Sequence, residues 1–177
     1  MARLSPVTQK FILHWGKMGT RWGINRTVAQ IHALLYVSPR PLHAEEIAET
    51  LVVARSNVSN SLRELQGWGI VRVVHVLGDR RDHFESMSDP WEMFQVVLDE
   101  RKKREIDPTL ELLETCLAEA EKAGPAEAHT RERLSKLLEF FRTMTGWYEQ
   151  IRRMPTGAVV KFVKLGDKVC KMFGKAS

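Results

Sequence analysis

Between Arg55 and Trp68 the chain sets side chains that hydrogen-bond flat targets opposite a narrow apolar stripe. Val58, Leu62 and Leu65 recur at helical spacing on one side, while Ser56, Asn57, Asn60, Arg63 and Glu64 occupy the other. Asn and Arg can each form two parallel hydrogen bonds to the edge of adenine or guanine, and Ser can donate or accept. Ser and Asn are indifferent helix formers, so a face selected only for helix stability would carry Glu, Lys and Ala instead. A charged tip follows at Gly78-Asp79-Arg80-Arg81. It lies between the β-branched run Ile70–Leu77 and a returning segment, Asp82–Met87, which is a hairpin signal. Arg80 and Arg81 there, with Arg55 at the start of the polar helix, suit phosphates or a minor groove. Taken one at a time, such residues are more often a wet helix face and a solvated turn. Taken together, their order argues for nucleic acid.

These groups need elements to hold them. Ser5 and Pro6 form a helix-start signal, and Val7, Phe11, Ile12 and Trp15 continue it to about Lys17, after which Gly16, Gly19 and Gly23 are expected to break the chain. A second helix starts at Asn25, with Val28, Ile31, Leu34 and Leu35 inward, and ends before Pro39-Arg40-Pro41. A short helix over His43–Leu51, a turn, the polar helix and the hairpin complete the order of a winged helix-turn-helix. Beyond Asp89-Pro90 the chain is helical, with Asp107-Pro108 a kink or a fresh cap and Gly124-Pro125 a stop. The expected fold class is mainly α with a small β-wing (α+β). Its parts would be an N-terminal dimerisation helix (1–24), a winged helix-turn-helix (25–89) and a helical dimerisation and effector-sensing region (90–177).

The run Leu42–Leu51, then Ala54–Gly69 and Val74–Phe84, resembles the GbsR branch of the MarR-type transcriptional regulators. The resemblance is specific over roughly residues 20–95 and architectural beyond. It implies a dimeric winged-helix regulator of bacterial genes, some of whose relatives respond to choline-type ligands. It also implies that Arg81 contacts DNA and Asp79 orients the wing. One departure is Val52, where the family usually has glycine just after the short helix. That position often takes φ > 0, which a β-branched residue resists. A longer turn that avoids the left-handed region is therefore expected.

Of the long helices, the last but one carries Leu134, Leu137, Phe141, Met144, Tyr148 and Ile151 at 3-4-3-4-3 spacing. With Phe11 and Trp15 of the first helix, Leu137, Phe141, Met144, Tyr148 and Ile151 are expected to be buried against a second copy. Two-fold symmetry would then set two reading helices about 34–36 Å apart on a near-palindromic site. Trp15, Trp22, Trp91, Trp147 and Tyr148 could line an effector pocket, since aromatic faces attract quaternary ammonium ions. Lys161, Lys164, Lys168, Lys171 and Lys175 form a stripe, read first as a solvated helix face.

Composition sets the outer bounds. The 177 residues are 44% hydrophobic and 28% charged, a globular balance. The net charge of +5 divides into +3 over residues 1–89, −2 over 90–154 and +4 over 155–177. No run is long and apolar enough to span a membrane, and the N-terminus lacks a signal-peptide pattern. Cys116 and Cys170 suit reduced structural thiols in a cytoplasm. The six histidines show no metal-ligand spacing, and no catalytic motif is found. The expectation is a non-enzymatic, sequence-specific DNA-binding regulator without cofactor or metal, a repressor, acting as a homodimer. A protein-interaction module built on a winged helix is the alternative.

Overall fold

The computed structural model describes residues 4–173, without the side chains of Lys164 and of residues 167–173. The chain divides between Val96 and Val97 into two units. The first begins with α1 (Pro6–Arg21) and α2 (Arg26–Val37), followed by β1 (Leu42–His43), α3 (Ala44–Leu51) and α4 (Arg55–Gly67). The hairpin β2 (Val71–His75) and β3 (Asp82–Ser86) comes next, and α5 (Pro90–Arg101) crosses the division.

Ser5 accepts the Thr8 N–H with Pro6 at the first helical position, as its sequence dictates. Gly16 and Gly19 do not break α1, contrary to the expectation from sequence; the helix runs through both to Arg21. Both glycines are buried because α2 crosses there. A Cβ on Gly19 would lie 2.5 Å from the Cβ of Ala29. Only Gly23, at φ +76°, ends the helix in the expected manner.

The sheet has three antiparallel strands in the order β1-β3-β2. β1 was not foreseen, since two residues carry no periodicity; pairing of Leu42 with Phe84 and His43 with His83 creates it. In the hairpin, Val71 pairs with Ser86 and His75 with Asp82. The core gathers Ile31, Ile47, Val58, Leu62 and Leu65, all but sealed from solvent. The three from α4 are the stripe identified by spacing. Burying side chains of this size stabilises by about 1.5–3 kcal/mol each, which anchors α4 while its other face stays wet.

The turn before α4 is the clearest correction. Val52 caps α3 at φ 54°, ψ 50°, the left-handed conformation that a longer turn was expected to avoid. It is the one non-glycine residue with positive φ among the described residues, and its side chain is 89% exposed. The capping bond from Val53 N–H to the Ala48 carbonyl, 3.0 Å, holds the turn closed. Val52→Gly should therefore raise stability by about 1 kcal/mol, the left-handed penalty of a β-branched residue less glycine's entropy cost. A urea midpoint that falls on this substitution would contradict the strain.

In the second unit α5 passes without a cap into a π-helical turn, Lys102–Ile106, and on into α6 (Asp107–Ala123). Pro108 brings no N–H to the carbonyl four residues back, and the widened turn accommodates that loss. Asp107-Pro108 is thus not a fresh cap; of the two expectations the irregular turn is the one that fits. After Gly124 (φ +74°) and a 3-10 turn come α7 (Ala128–Arg152) and α8 (Thr156–Phe173). α6 packs on α7, yet Leu113, Ala120, Leu138 and Val159 are the unit's only buried hydrophobics among the described residues. Tyr148 donates to Asp99 at 2.6 Å, and Arg152 grips the other carboxylate oxygen at 2.9 Å. Burial first, then Asp99, pushes the Tyr148 phenol well above its ordinary range. No helix among the described residues is long and apolar enough to cross a membrane.

Candidate nucleic-acid interface

The sequence of α4 divides into two faces, and packing keeps them apart. Val58, Ser61, Leu62 and Leu65 are buried, while Ser56, Asn57, Asn60 and Arg63 are exposed. Arg63 donates to the Asn60 side chain at 3.3 Å, so two of the four potential base-readers already orient one another. The helix starts at Ala54 without a side-chain cap, leaving its first N–H groups open to an anion.

Glu45, on α3, draws the remaining basic groups to the same side. It accepts from Arg55, the first residue of α4, at 2.9 Å, and Arg55 also donates to Ser59. That Arg55 bond is the main reason the Glu45 carboxyl is lowered to about 2. Arg40 grips Glu46 in the same manner and lowers it to about 2 as well. Arg81 feels Glu45 and Glu46 too: its pKa is raised first by the hydrogen bond to Asp79, then by further attraction from Asp79, Glu45 and Glu46. The wing and the start of the polar helix therefore both feel the same acidic pair. Glu45 was not singled out in the sequence, where it is one of two glutamates near a helix N-terminus; only the fold pairs it with Arg55.

The tip of the wing is tightly built. Asp79 accepts the Arg81 backbone N–H at 3.0 Å and its guanidinium Nε at 2.9 and 3.1 Å. These bonds, guanidinium first, hold the Asp79 carboxyl far below its usual range. His83, buried in β3, has Nδ1 3.0 Å from the Arg81 carbonyl, so that nitrogen must donate. Its ring meets His43 edge-on at 5.5 Å. His43 in turn closes a capping box with Glu46 at the start of α3. Wing, α3 and α4 are thus linked through two histidines and two glutamates. Arg80 is exposed with no hydrogen bond or ion pair to the described residues.

The other candidate residues are spread over both units. Phe11 and Trp15 pack on the core of their own unit, with ring centroids 5.4 Å apart. Trp15 also meets His32 at 6.3 Å, and His32 meets Tyr36 at 6.2 Å. Trp22 and Trp91 are in the first unit, Trp147 and Tyr148 in the second. On α7, Leu137 and Met144 are exposed and Phe141, Tyr148 and Ile151 half-buried. Phe140 and Trp147 share the exposed side at 3-4-3 spacing with Leu137 and Met144. The basic run Arg101–Arg104 is compensated locally by Glu100, Glu105 and Asp107. Lys161 is exposed; Cys170 and the side chains of Lys164, Lys168, Lys171 and Lys175 lie outside the described residues, and Cys116 is a half-buried free thiol.

Residues 22–82 match the profile of the MarR family. The chain is also similar in fold to a transcriptional regulator of known crystal structure, with TM-score 0.64 and 20% identity over 90% of this chain and 99% of that one. The transcriptional regulator Tm0710 from Thermotoga maritima aligns at TM-score 0.39 and 19% identity, over 83% and 92% of the two chains. Comparison with curated proteins finds no match. Residues 22–82 are thus similar to the MarR family, and the elements they form are those of a winged helix.

Proposed function

We propose that the chain is a DNA-binding transcriptional regulator in which α4 reads base edges in the major groove and the wing holds the flanking backbone. The observation that carries this reading is the face of Ser56, Asn57, Asn60 and Arg63, left exposed by a helix whose opposite side is sealed in the core. The MarR-type match over residues 22–82 and the Arg55–Glu45 ion pair at the start of α4 support it. Asp79 serves to orient the wing through Arg81, while Arg55 and Arg80 take phosphates.

The reading extends to a homodimer on a near-palindromic operator, acting as a repressor. The thin core of the second unit and the exposed row Leu137, Phe140, Met144 and Trp147 support dimerisation, since an apolar row of that length is normally covered. A small effector, choline-like by family resemblance and drawn to aromatic faces, completes the reading.

Selection from a random duplex pool supplies the operator for the test. Arg63→Ala should reduce discrimination between operator and scrambled duplex by about 1–3 kcal/mol, the value of one bidentate base contact. Arg80→Ala should weaken both duplexes alike and lower the slope of log affinity against log salt by about 1 per wing. Equal losses on both duplexes for Arg63→Ala would sink base reading. A chain that enriches no duplex, and is not retained by random DNA in a salt-dependent way, would be a protein-interaction module instead.

A further inference from the structure

We propose that Leu77, at the tip of the wing, is an apolar contact to the DNA minor groove that makes the protein prefer A·T pairs beside the half-site read by α4. This rests on the DNA-binding reading above and adds to it a specificity residue that makes no hydrogen bond to a base.

Leu77 is fully exposed, and its neighbour Val76 is partly so. A leucine at a loop tip is unremarkable where the loop is loose. Here the loop is rigid. Asp79 N–H donates to the Val76 carbonyl at 3.0 Å, and Gly78 takes φ +85° at the third position of the turn, the glycine-requiring place of a type II turn. Leu77 therefore stands at the second position, the outer corner. The Asp79–Arg81 bonds and the Arg81 carbonyl held by His83 stiffen the following residues. The fold thus presents an apolar side chain to solvent on a braced support.

Charge and size decide what it meets. Arg80, three residues on, is exposed and unpaired among the described residues, while Arg81 is paired with Asp79, so one uncompensated cation stands near the leucine. A minor groove offers the complement: phosphates on both rims and apolar sugar walls within, in a slot about 6 Å wide. A protein partner would need on the order of 800 Å² of matching surface, many times one leucine side chain. Apolar side chains at DNA-binding tips commonly enter between or against base steps in this groove. The floor of the groove then sets the preference. G·C pairs raise a guanine N2 amino group into it, whereas A·T pairs leave it open.

The test uses the full-length chain and a selected operator whose half-site cores are kept while the pairs under the wing are A·T, G·C or inosine·C. Inosine·C has the major-groove groups of G·C and the minor-groove floor of A·T. Wild type should bind A·T and inosine·C flanks alike, and about tenfold tighter than G·C flanks, an effect within reach of burying one leucine. Leu77→Ala should reduce this ratio to about twofold or less with discrimination at the half-site core unchanged, and Leu77→Met should restore most of it. The proposal is overturned if Leu77→Ala keeps the flank preference, if it weakens all three flanks equally, or if inosine·C behaves as G·C. It is also overturned if the substitution leaves DNA binding untouched but abolishes self-association in sedimentation, which would make the tip a contact between copies. If wild type enriches no duplex at all, the DNA-binding reading fails, and this one with it. Because Leu77 touches no core residue, loss of the fold is not a competing explanation.

Discussion

Gly19→Ala is expected to destabilise the protein by about 2 kcal/mol in urea unfolding, although alanine is the better helix former. On propensity alone the change would stabilise by roughly 0.5–1 kcal/mol. Geometry reverses the sign. The new Cβ would lie 2.5 Å from the Cβ of Ala29, and that atom is fixed to the α2 backbone and cannot turn aside. The helices must separate, and overpacking of this kind costs about 1–3 kcal/mol beyond the propensity gain. Gly16 is the internal contrast. Its added Cβ would meet Gln30 Cγ at 2.6 Å, part of a flexible side chain that can swing away, so Gly16→Ala should be milder. Gly67, last in α4, has nothing within 4 Å, and Gly67→Ala should be neutral to stabilising by about 0.5 kcal/mol. If the three midpoints shift alike, α1 does not cross α2 at its glycines.

Between pH 7 and pH 5 the protein should lose about 2 kcal/mol of stability through His32 alone. Its side chain is buried, at 6% exposure, and Nε2 has no hydrogen-bond partner among the described residues. Burial lowers its pKa from 6.5 to about 4. Below pH 6.5 the unfolded chain binds a proton there and the folded chain does not, so stability falls as pH falls. The loss continues until about pH 4, where it reaches roughly 3 kcal/mol at 1.36 kcal/mol per unit. Glu45 and Glu46 act in a separate window. Their lowered pKa values remove stability only as pH drops below 4.5, so they do not confuse the range from 7 to 5. His32→Met, apolar and adaptable, should flatten the profile in that range. A variant with the same slope as wild type would show that His32 is protonated freely in the fold. The consequence reaches the reading domain, since His32 lies on α2 and contacts Trp15 of α1.

Much of the geometry of α4 and the hairpin was legible because it depends on local rules. The boundaries of α4, its sealed stripe and its wet face follow from helical spacing over a dozen residues. The hairpin follows from β-branched runs around a turn. Phe11 and Trp15 show where such reading stops: spacing marks a face to be covered, and each is half-buried against its own unit's core. A periodic pattern says that a face is covered, not by what. The same limit applies on α7, where the apolar positions divide between the half-buried Phe141 and Tyr148 and the exposed Leu137 and Met144.

By itself, the sequence determined the order of elements, the two faces of α4, and the basic wing, because periodicity, capping and turn chemistry act within a few residues. Tertiary structure alone decided that Gly16 and Gly19 are points of helix contact rather than breaks. It also decided that Val52 takes a left-handed turn to let α4 seat its stripe, and that β1 exists at all. It brought Glu45 to Arg55. In each case the deciding partner is distant in sequence: Ala29 for Gly19, Phe84 for Leu42, Arg55 for Glu45. Close packing across such separations outweighs local preference, since one steric overlap is worth as much as several residues of propensity, whereas the half-exposed Glu45–Arg55 pair orients side chains more than it stabilises.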